Sequence, residues 1–191
     1  MAEGSVAALA VPKSLLCIDT ETTGVSTRTD RVVSLAMLWL NDDLTVRRGL
    51  HQMFNPGIPI PAAATAVHGI RDVDVAGMPG FGTVAGRVRA ALGTNIVIGY
   101  NVRFDLAVLN QEFRRAGLPR LRNVLVIDPY VVFCKNHPRN LSAAVKTYLG
   151  EEHCGAHDAR ADAQATVRVL RAQVGSAWQS CVEARTLGGW P

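Results

Sequence analysis

The segment Asp19-Thr20-Glu21-Thr22-Thr23-Gly24 sets two carboxylates one residue apart, directly after the apolar run Leu15-Leu16-Cys17-Ile18. Side chains alternate faces along a strand, so Asp19 and Glu21 point the same way. Carboxylates side by side repel unless a proton or a cation sits between them. Open α/β sheets carry their sites at the carboxyl ends of strands, and that placement points to a cation. Thr22, Thr23 and Gly24 add hydroxyls, backbone N–H groups and a permissive turn beside the charges.

Two more carboxylates lie on inward stripes of helices. Asp105 heads a stripe with Val108, Leu109, Phe113 and Ala116, at the spacing that shares one helix face. Its helix follows a strand directly, which places Asp105 beside Asp19 and Glu21 if the two strands are neighbours. Asp162 shares a second stripe with Ala159, Thr166, Val169 and Leu170. Singly, each could pair with a core arginine or a helix dipole. Together, four negative charges in one pocket require bound cations or raised pKa values. All-oxygen ligands favour Mg²⁺ or Mn²⁺, and two such ions about 4 Å apart would clamp a phosphodiester for in-line attack by water. His157 can reach the same pocket from the segment ahead of Asp162. Asp158 reads as a helix N-cap and Asp128, ahead of Pro129, as another cap. His51, His137 and His153 read as bystanders.

The elements that must position these groups follow from patterning. Apolar runs predict strands over 15–21, 31–40, 44–50, 95–100 and 123–127. The turn Asn41-Asp42-Asp43 makes the second and third a hairpin. Helices are expected over 62–67, 81–92, 103–116, 129–134, 141–149 and 158–174, with stops at Gly69, Gly93 and Gly117. The fold class is therefore α/β: a mixed five-stranded sheet, half antiparallel hairpin and half parallel, flanked by helices.

A chain of 191 residues, 48% hydrophobic and 19% charged, fits one domain with a full core. The net charge of +4 and pI of about 9.1 lean toward a polyanionic partner. The clusters Arg47-Arg48, Arg114-Arg115 and Arg120-Leu121-Arg122 read equally as contact patches or solvated faces. Four cysteines without a C-x-x-C pair argue for reduced, cytoplasmic usage and against a disulfide framework or zinc site. The first residues lack a secretory pattern, and no apolar stretch approaches a membrane span, so no membrane role is expected. Residues 1–13 read as a flexible leader, 14–175 as the working domain and 176–191 as a C-terminal tail. Oligomeric state is not legible.

At this point the chain resembles the DEDDh 3′–5′ exonucleases of the RNase H-like superfamily, and is most similar to proofreading epsilon subunits of bacterial DNA polymerase III. The resemblance rests on Asp19-Thr20-Glu21-Thr22-Thr23-Gly24, on Asn101-Val102-Arg103-Phe104-Asp105, and on His157-Asp158-Ala159-Arg160-Ala161-Asp162. Asn55-Pro56-Gly57 and Thr65-Ala66-Val67-His68-Gly69-Ile70 extend it, and the whole covers roughly 15–170. Motifs in order at such spacing are far more specific than any one alone. The resemblance implies that 14–175 is an exonuclease domain. It implies that Asp19, Glu21, Asp105 and Asp162 hold two divalent cations, with Asp19 bridging, and that His157 is the general base. It implies that Thr22, Thr23 and Gly24 line the terminal nucleotide, with His68 and Phe104 against its sugar or base. His68 could instead cap its helix, and Phe104 could be core. The substrate implied is single-stranded DNA or a DNA 3′ end, the product a nucleoside 5′-monophosphate, and a DNA polymerase a possible partner. An exoribonuclease of the RNase T or oligoribonuclease kind shares these motifs, so RNA is possible. A non-catalytic nucleic-acid-binding module is the alternative from another class. Val102 and Arg103 replace small residues usual in the second motif, and Asp158 replaces an Asn in the third; neither change removes a ligand.

Overall fold

The computed structural model describes residues 14–133 and 140–186, with side chains over 14–131 and 140–175. The leader, His137, Cys134 and Cys181 side chains, and the last residues lie outside that range. Five strands form one sheet in the order β3-β2-β1-β4-β5. β1 (Leu15–Thr22) occupies its centre. β2 (Val32–Leu40) pairs antiparallel with β1, and β3 (Val46–Met53) antiparallel with β2. β4 (Ile96–Ile98) and β5 (Val126–Ile127) continue parallel on the other side. This is the mixed sheet expected from the sequence, in a helix–sheet–helix sandwich.

Alternation along β1 decides what each face meets. Leu16 and Ile18 join Leu35 and Met37 of β2 against α3 (Ala85–Thr94) and α4 (Arg103–Arg115), through Val88, Leu92, Leu109 and Phe113. Leu15 and Cys17 join Ala36 and Leu38 against α7 (Ala159–Thr186), through Ala159, Ala163, Val167 and Leu170. Leu15 through Ile18 are all at most 1% exposed. Burying four such side chains stabilises the fold by roughly 1.5–3 kcal/mol each, which anchors the strand that ends in Asp19 and Glu21.

α4 is fixed to the loop after β1 by a buried carboxylate. Glu112 is 2% exposed; its Oε1 accepts from Arg31 Nε at 2.7 Å and from an Arg115 guanidinium N–H at 3.0 Å, while Oε2 accepts from Arg31 at 3.2 Å. Arg115 also donates to the carbonyls of Arg28, Thr29 and Asp30. Loss of both arginines would leave a buried charge uncompensated, at a cost of roughly 3–5 kcal/mol.

The helices α1 (Ala62–His68), α5 (Pro129–Phe133) and α6 (Leu141–Leu149) match their expected positions. Other boundaries differ. The expected strand 44–50 becomes Val46–Met53, because Leu44 takes a left-handed turn conformation (φ 64) with its side chain buried. The expected strand 123–127 shrinks to two residues, since Asn123 is left-handed as well (φ 56). Leu125 and Val126 are exposed at this edge, not buried on both faces. The helix expected over 81–92 opens as a 3₁₀ turn at Phe81–Thr83 and then runs to Thr94. A short α2 (Asp72–Val75) is new, with the Asp74 carboxylate accepting from the Arg71 N–H. Helical backbone resumes to Thr186 beyond a break at Gly175 (φ 47), where patterning predicts only a tail. Among the described residues no helix is long and apolar enough to cross a membrane.

Candidate active site

The carboxyl end of β1 opens into a pocket lined by Asp19, Thr20, Glu21, Tyr100, Asn101, Phe104, Asp105, Tyr130, Asn140, Leu141, His157 and Asp162. Each of Asp19, Glu21 and Asp162 offers a carboxylate oxygen within 4.8 Å of the other two. The sheet explains this convergence. Asp19 and Glu21 continue the Leu15–Cys17 face of β1, and α7 packs on that face with Asp162 in its first turn.

Asp105 reaches the pocket from the opposite face. Its helix α4 covers the Leu16–Ile18 side of β1, where Thr20 also points. Asp105 Oδ1 accepts from the Thr20 N–H at 2.9 Å and the Thr20 hydroxyl at 2.6 Å. The structure therefore gathers three of the four expected carboxylates tightly, and ties the fourth to the strand residue between the first two.

Crowding shows in the protonation equilibria. Burial, then Asp105, Asp162 and Glu21, push Asp19 well above the usual carboxylate range. Burial and then Asp162 and Asp105 push Glu21 up to about 8. Burial raises Asp105 to about 7 against the Thr20 bonds that lower it. Burial also raises Asp162, opposed by its bond to His153. Carboxylates left this close without a cation hold protons far above their ordinary range. An all-oxygen set of this kind fits a hard divalent cation.

The other expected residues fall in distinct places. His157 lines the pocket in a left-handed conformation (φ 68), with its N–H donating to Asp162 Oδ2 at 3.2 Å. Phe104 lines the same pocket and packs against the adjoining core, so both readings of it apply. Thr22, Thr23 and Gly24 lie just beyond. The Thr22 hydroxyl donates to the Gly24 carbonyl, and the Thr23 hydroxyl donates to Asp30 and accepts from the Arg31 N–H. A Cβ at Gly24 would meet the Asp30 carboxylate at 2.6 Å, so a larger residue there would have to displace that carboxylate from its bonds to the Ser26 N–H and the Thr23 hydroxyl. His68 Nδ1 accepts from the Ile70 N–H at 3.0 Å, and its buried Nε2 has no partner in hydrogen-bond geometry among the described residues. Burial lowers the His68 pKa, the Thr22 backbone raises it and His157 lowers it, which places His68 next to the motif.

Asp158 is an N-cap, accepting from the Ala161 N–H at 2.8 Å. Asp128 does more than cap α5. It accepts from the N–H groups of Asn101, Val102 and Tyr130 at 3.0, 3.1 and 3.0 Å, so it fastens the turn that leads into Asp105. Asn101 stands at φ 60 in that turn. Tyr100 and Tyr130, missed in the sequence, meet edge to face at 5.3 Å on the pocket wall. Two clustered arginines are engaged within the fold: Arg115 on Glu112, and Arg48 over the Trp39 ring at 4.7 Å. His153 is no bystander; its Nε2 lies 2.6 Å from Asp162 Oδ1.

An exonuclease family model (RNase_T) matches residues 16–170. The chain belongs to the exonuclease family. The match contains every carboxylate of the pocket and His157. A DNA polymerase III subunit epsilon-like protein of Rhodobacter capsulatus is 32% identical over 170 residues, covering 83% of this chain and 24% of that protein. The PolC-type DNA polymerase III of Listeria innocua is 27% identical over 167 residues, covering 83% of this chain and 11% of its own. The chain thus spans a quarter or less of these curated relatives. E. coli exonuclease I, solved in complex with a dT13 oligonucleotide, superposes with a TM-score of 0.74 at 22% identity, over 91% of this chain and 43% of that one. The fold of this chain is therefore the RNase H-like fold that the resemblance implied.

Proposed function

We propose that this exonuclease is of the DEDDh type and hydrolyses phosphodiester bonds from the 3′ end of single-stranded DNA, releasing nucleoside 5′-monophosphates. The observation that carries the reading is the convergence of Asp19, Glu21 and Asp162 within 4.8 Å at the end of β1, with Asp105 and His157 in the same pocket. Two divalent cations, Mg²⁺ or Mn²⁺, would supply Lewis-acid stabilisation of the phosphoryl oxygens and an acidified water there. Asp19, Glu21 and Asp162 would be their first ligands, with Asp105 completing the set from the α4 side. His157 would take the proton from the attacking water, a role suited to an imidazole at neutral pH. Its exposure leaves the ring free to approach substrate. Phe104, with Tyr100 and Tyr130 beside it, would offer aromatic faces to the terminal base, a sequence-tolerant contact. Thr22, Thr23, Gly24 and His68 would shape the rim where the sugar sits. Relatives named as DNA polymerase III components support DNA as the substrate and a polymerase as a partner.

The test is digestion of a 5′-labelled single-stranded DNA oligomer and its RNA twin with Mg²⁺, Mn²⁺ or EDTA. A metal-dependent ladder that shortens from the 3′ end, faster on DNA, is the expected result. A faster RNA ladder would reassign the substrate, and no ladder with either metal would remove the catalytic reading.

A further inference from the structure

His153 lies between α6 and α7, nine residues ahead of Asp162. Its ring is 5% exposed and its Nε2 sits 2.6 Å from Asp162 Oδ1. It does not line the pocket, whereas Asp162 does. The ring therefore backs the carboxylate from the protein side. The other oxygen, Oδ2, accepts from the His157 N–H. Both oxygens of Asp162 are thus gripped by the one connecting segment, each through a single bond. An ionised carboxylate has about four acceptor positions, so two bonds fix its plane and still leave acceptor positions for a cation. When ionised, the carboxylate accepts only, so in that form the imidazole donates to it through Nε2–H.

The segment is built to deliver this ring. Gly155 (φ 80) and His157 (φ 68) are both left-handed, and a side chain at Gly155 would meet Ala161 Cβ at 3.2 Å. The loop folds back tightly on the first turn of α7. The Asp158 cap and the Asp162 N–H bond to the Asp158 carbonyl, at 2.8 Å, hold that turn in register.

We propose that His153 is a positioning residue for the cation site, orienting Asp162 from behind so that its carboxylate is set before metal arrives. The proposal rests on the metal-dependent reading of the pocket. Groups that hydrogen-bond to metal ligands from outside the coordination sphere typically contribute 10–100-fold in metal affinity.

The test measures Mn²⁺ binding directly, by the electron paramagnetic resonance signal of free Mn²⁺, on the full chain without nucleic acid. His153→Ala and His153→Gln are compared with the native protein, and thermal unfolding is followed with EDTA and with Mn²⁺. His153→Ala should weaken Mn²⁺ binding about 10–100-fold and shrink the Mn²⁺-induced rise in Tm. His153→Gln, which keeps an N–H donor, should restore most of both. At saturating Mn²⁺, KM for a DNA oligomer should be unchanged in either variant. A merely structural role would lower Tm equally with EDTA and with Mn²⁺ and leave affinity unchanged, which overturns the proposal. Tighter Mn²⁺ binding in His153→Ala would also overturn it, by making His153 a competitor for Asp162. Should His153→Ala fail to fold, His153→Gln and His153→Asn carry the comparison, and native affinity in His153→Asn, whose shorter side chain cannot span the gap, refutes the idea. A native protein that binds no Mn²⁺ would instead refute the metal-dependent reading itself.

Discussion

Glu21→Gln isolates the electrostatic cost of the pocket. Glu21 rises from 4.5 to about 8 in the folded protein, with burial as the first cause and Asp162 and Asp105 next. Between those two values the folded chain holds a proton on Glu21 that the unfolded chain has released. Stability without metal must therefore fall as pH rises through that window, being fully present below the lower value. A rise of this size, at about 1.4 kcal/mol per tenfold in proton affinity, is worth roughly 5 kcal/mol. The pocket opens to solvent, so water entry and relaxation reduce it; about half, near 2.5 kcal/mol, is the reasonable expectation. For a chain of this length that corresponds to about 5–10 °C in Tm. The assay is thermal unfolding in EDTA from pH 5 to pH 8 for the native protein and Glu21→Gln. Native Tm should drop across the range, and the variant should drop less and be the more stable at pH 8. A residual slope should remain from Asp105, raised to about 7. A flat or rising native Tm, or a variant that tracks the native curve, would refute the crowding argument.

Asp19→Ala should abolish metal-dependent cleavage and the Mn²⁺-induced rise in Tm while raising Tm in EDTA; a retained Mn²⁺ response would remove Asp19 from the cation site. His157→Asn should cut kcat by about 10²–10⁴-fold with Mn²⁺ affinity largely kept, because the bond to Asp162 comes from the main chain and Asn tolerates the left-handed conformation. An unchanged kcat would assign the base elsewhere. Asp128→Ala leaves three N–H groups without their acceptor and should cost roughly 2 kcal/mol in urea denaturation, with kcat reduced through the loosened Asn101–Val102 turn; no change in either would show that the turn stands alone.

Much of the site was legible because it follows simple periodicities. A period of two placed Asp19 and Glu21 on one face, and helical spacing put Asp105 and Asp162 on inward stripes. The same period of two separates Asp105 from the other three, since Thr20 faces α4 while its neighbours face α7. That consequence needs the helix layers, which a one-dimensional pattern does not assign. Glu112 was available to the same reasoning: it lies seven residues beyond Asp105 on the same stripe, and a buried carboxylate there demands the arginines it has. His153 carried no such signal. Its reach to Asp162 depends on left-handed backbone at Gly155 and His157, and neither position announces its φ. Leu44 displaced the start of one strand and Asn123 shortened another for the same reason.

The placement of the carboxylates divides labour between rigid and adjustable parts of the fold. Asp19 and Glu21 stand on the central strand, whose four preceding side chains are buried almost completely. Their combined burial is worth roughly 6–12 kcal/mol, enough to outweigh crowding of the size estimated for Glu21. The strand cannot splay to relieve repulsion, so relief must come from protons or from a cation. Asp162, in contrast, hangs from the start of α7 and from two bonds to the loop before it. On the proposed metal-dependent reading, cation affinity would depend on a fixed pair meeting one aimed ligand, with Asp105 completing the set from the α4 side. Substitutions that relax the pair stabilise the metal-free protein while weakening the cation site, whereas substitutions that release the aimed ligand weaken the site with no gain in stability. A metal-free Tm that rises for the first kind and does not rise for the second would distinguish the two kinds of group wherever both lower affinity.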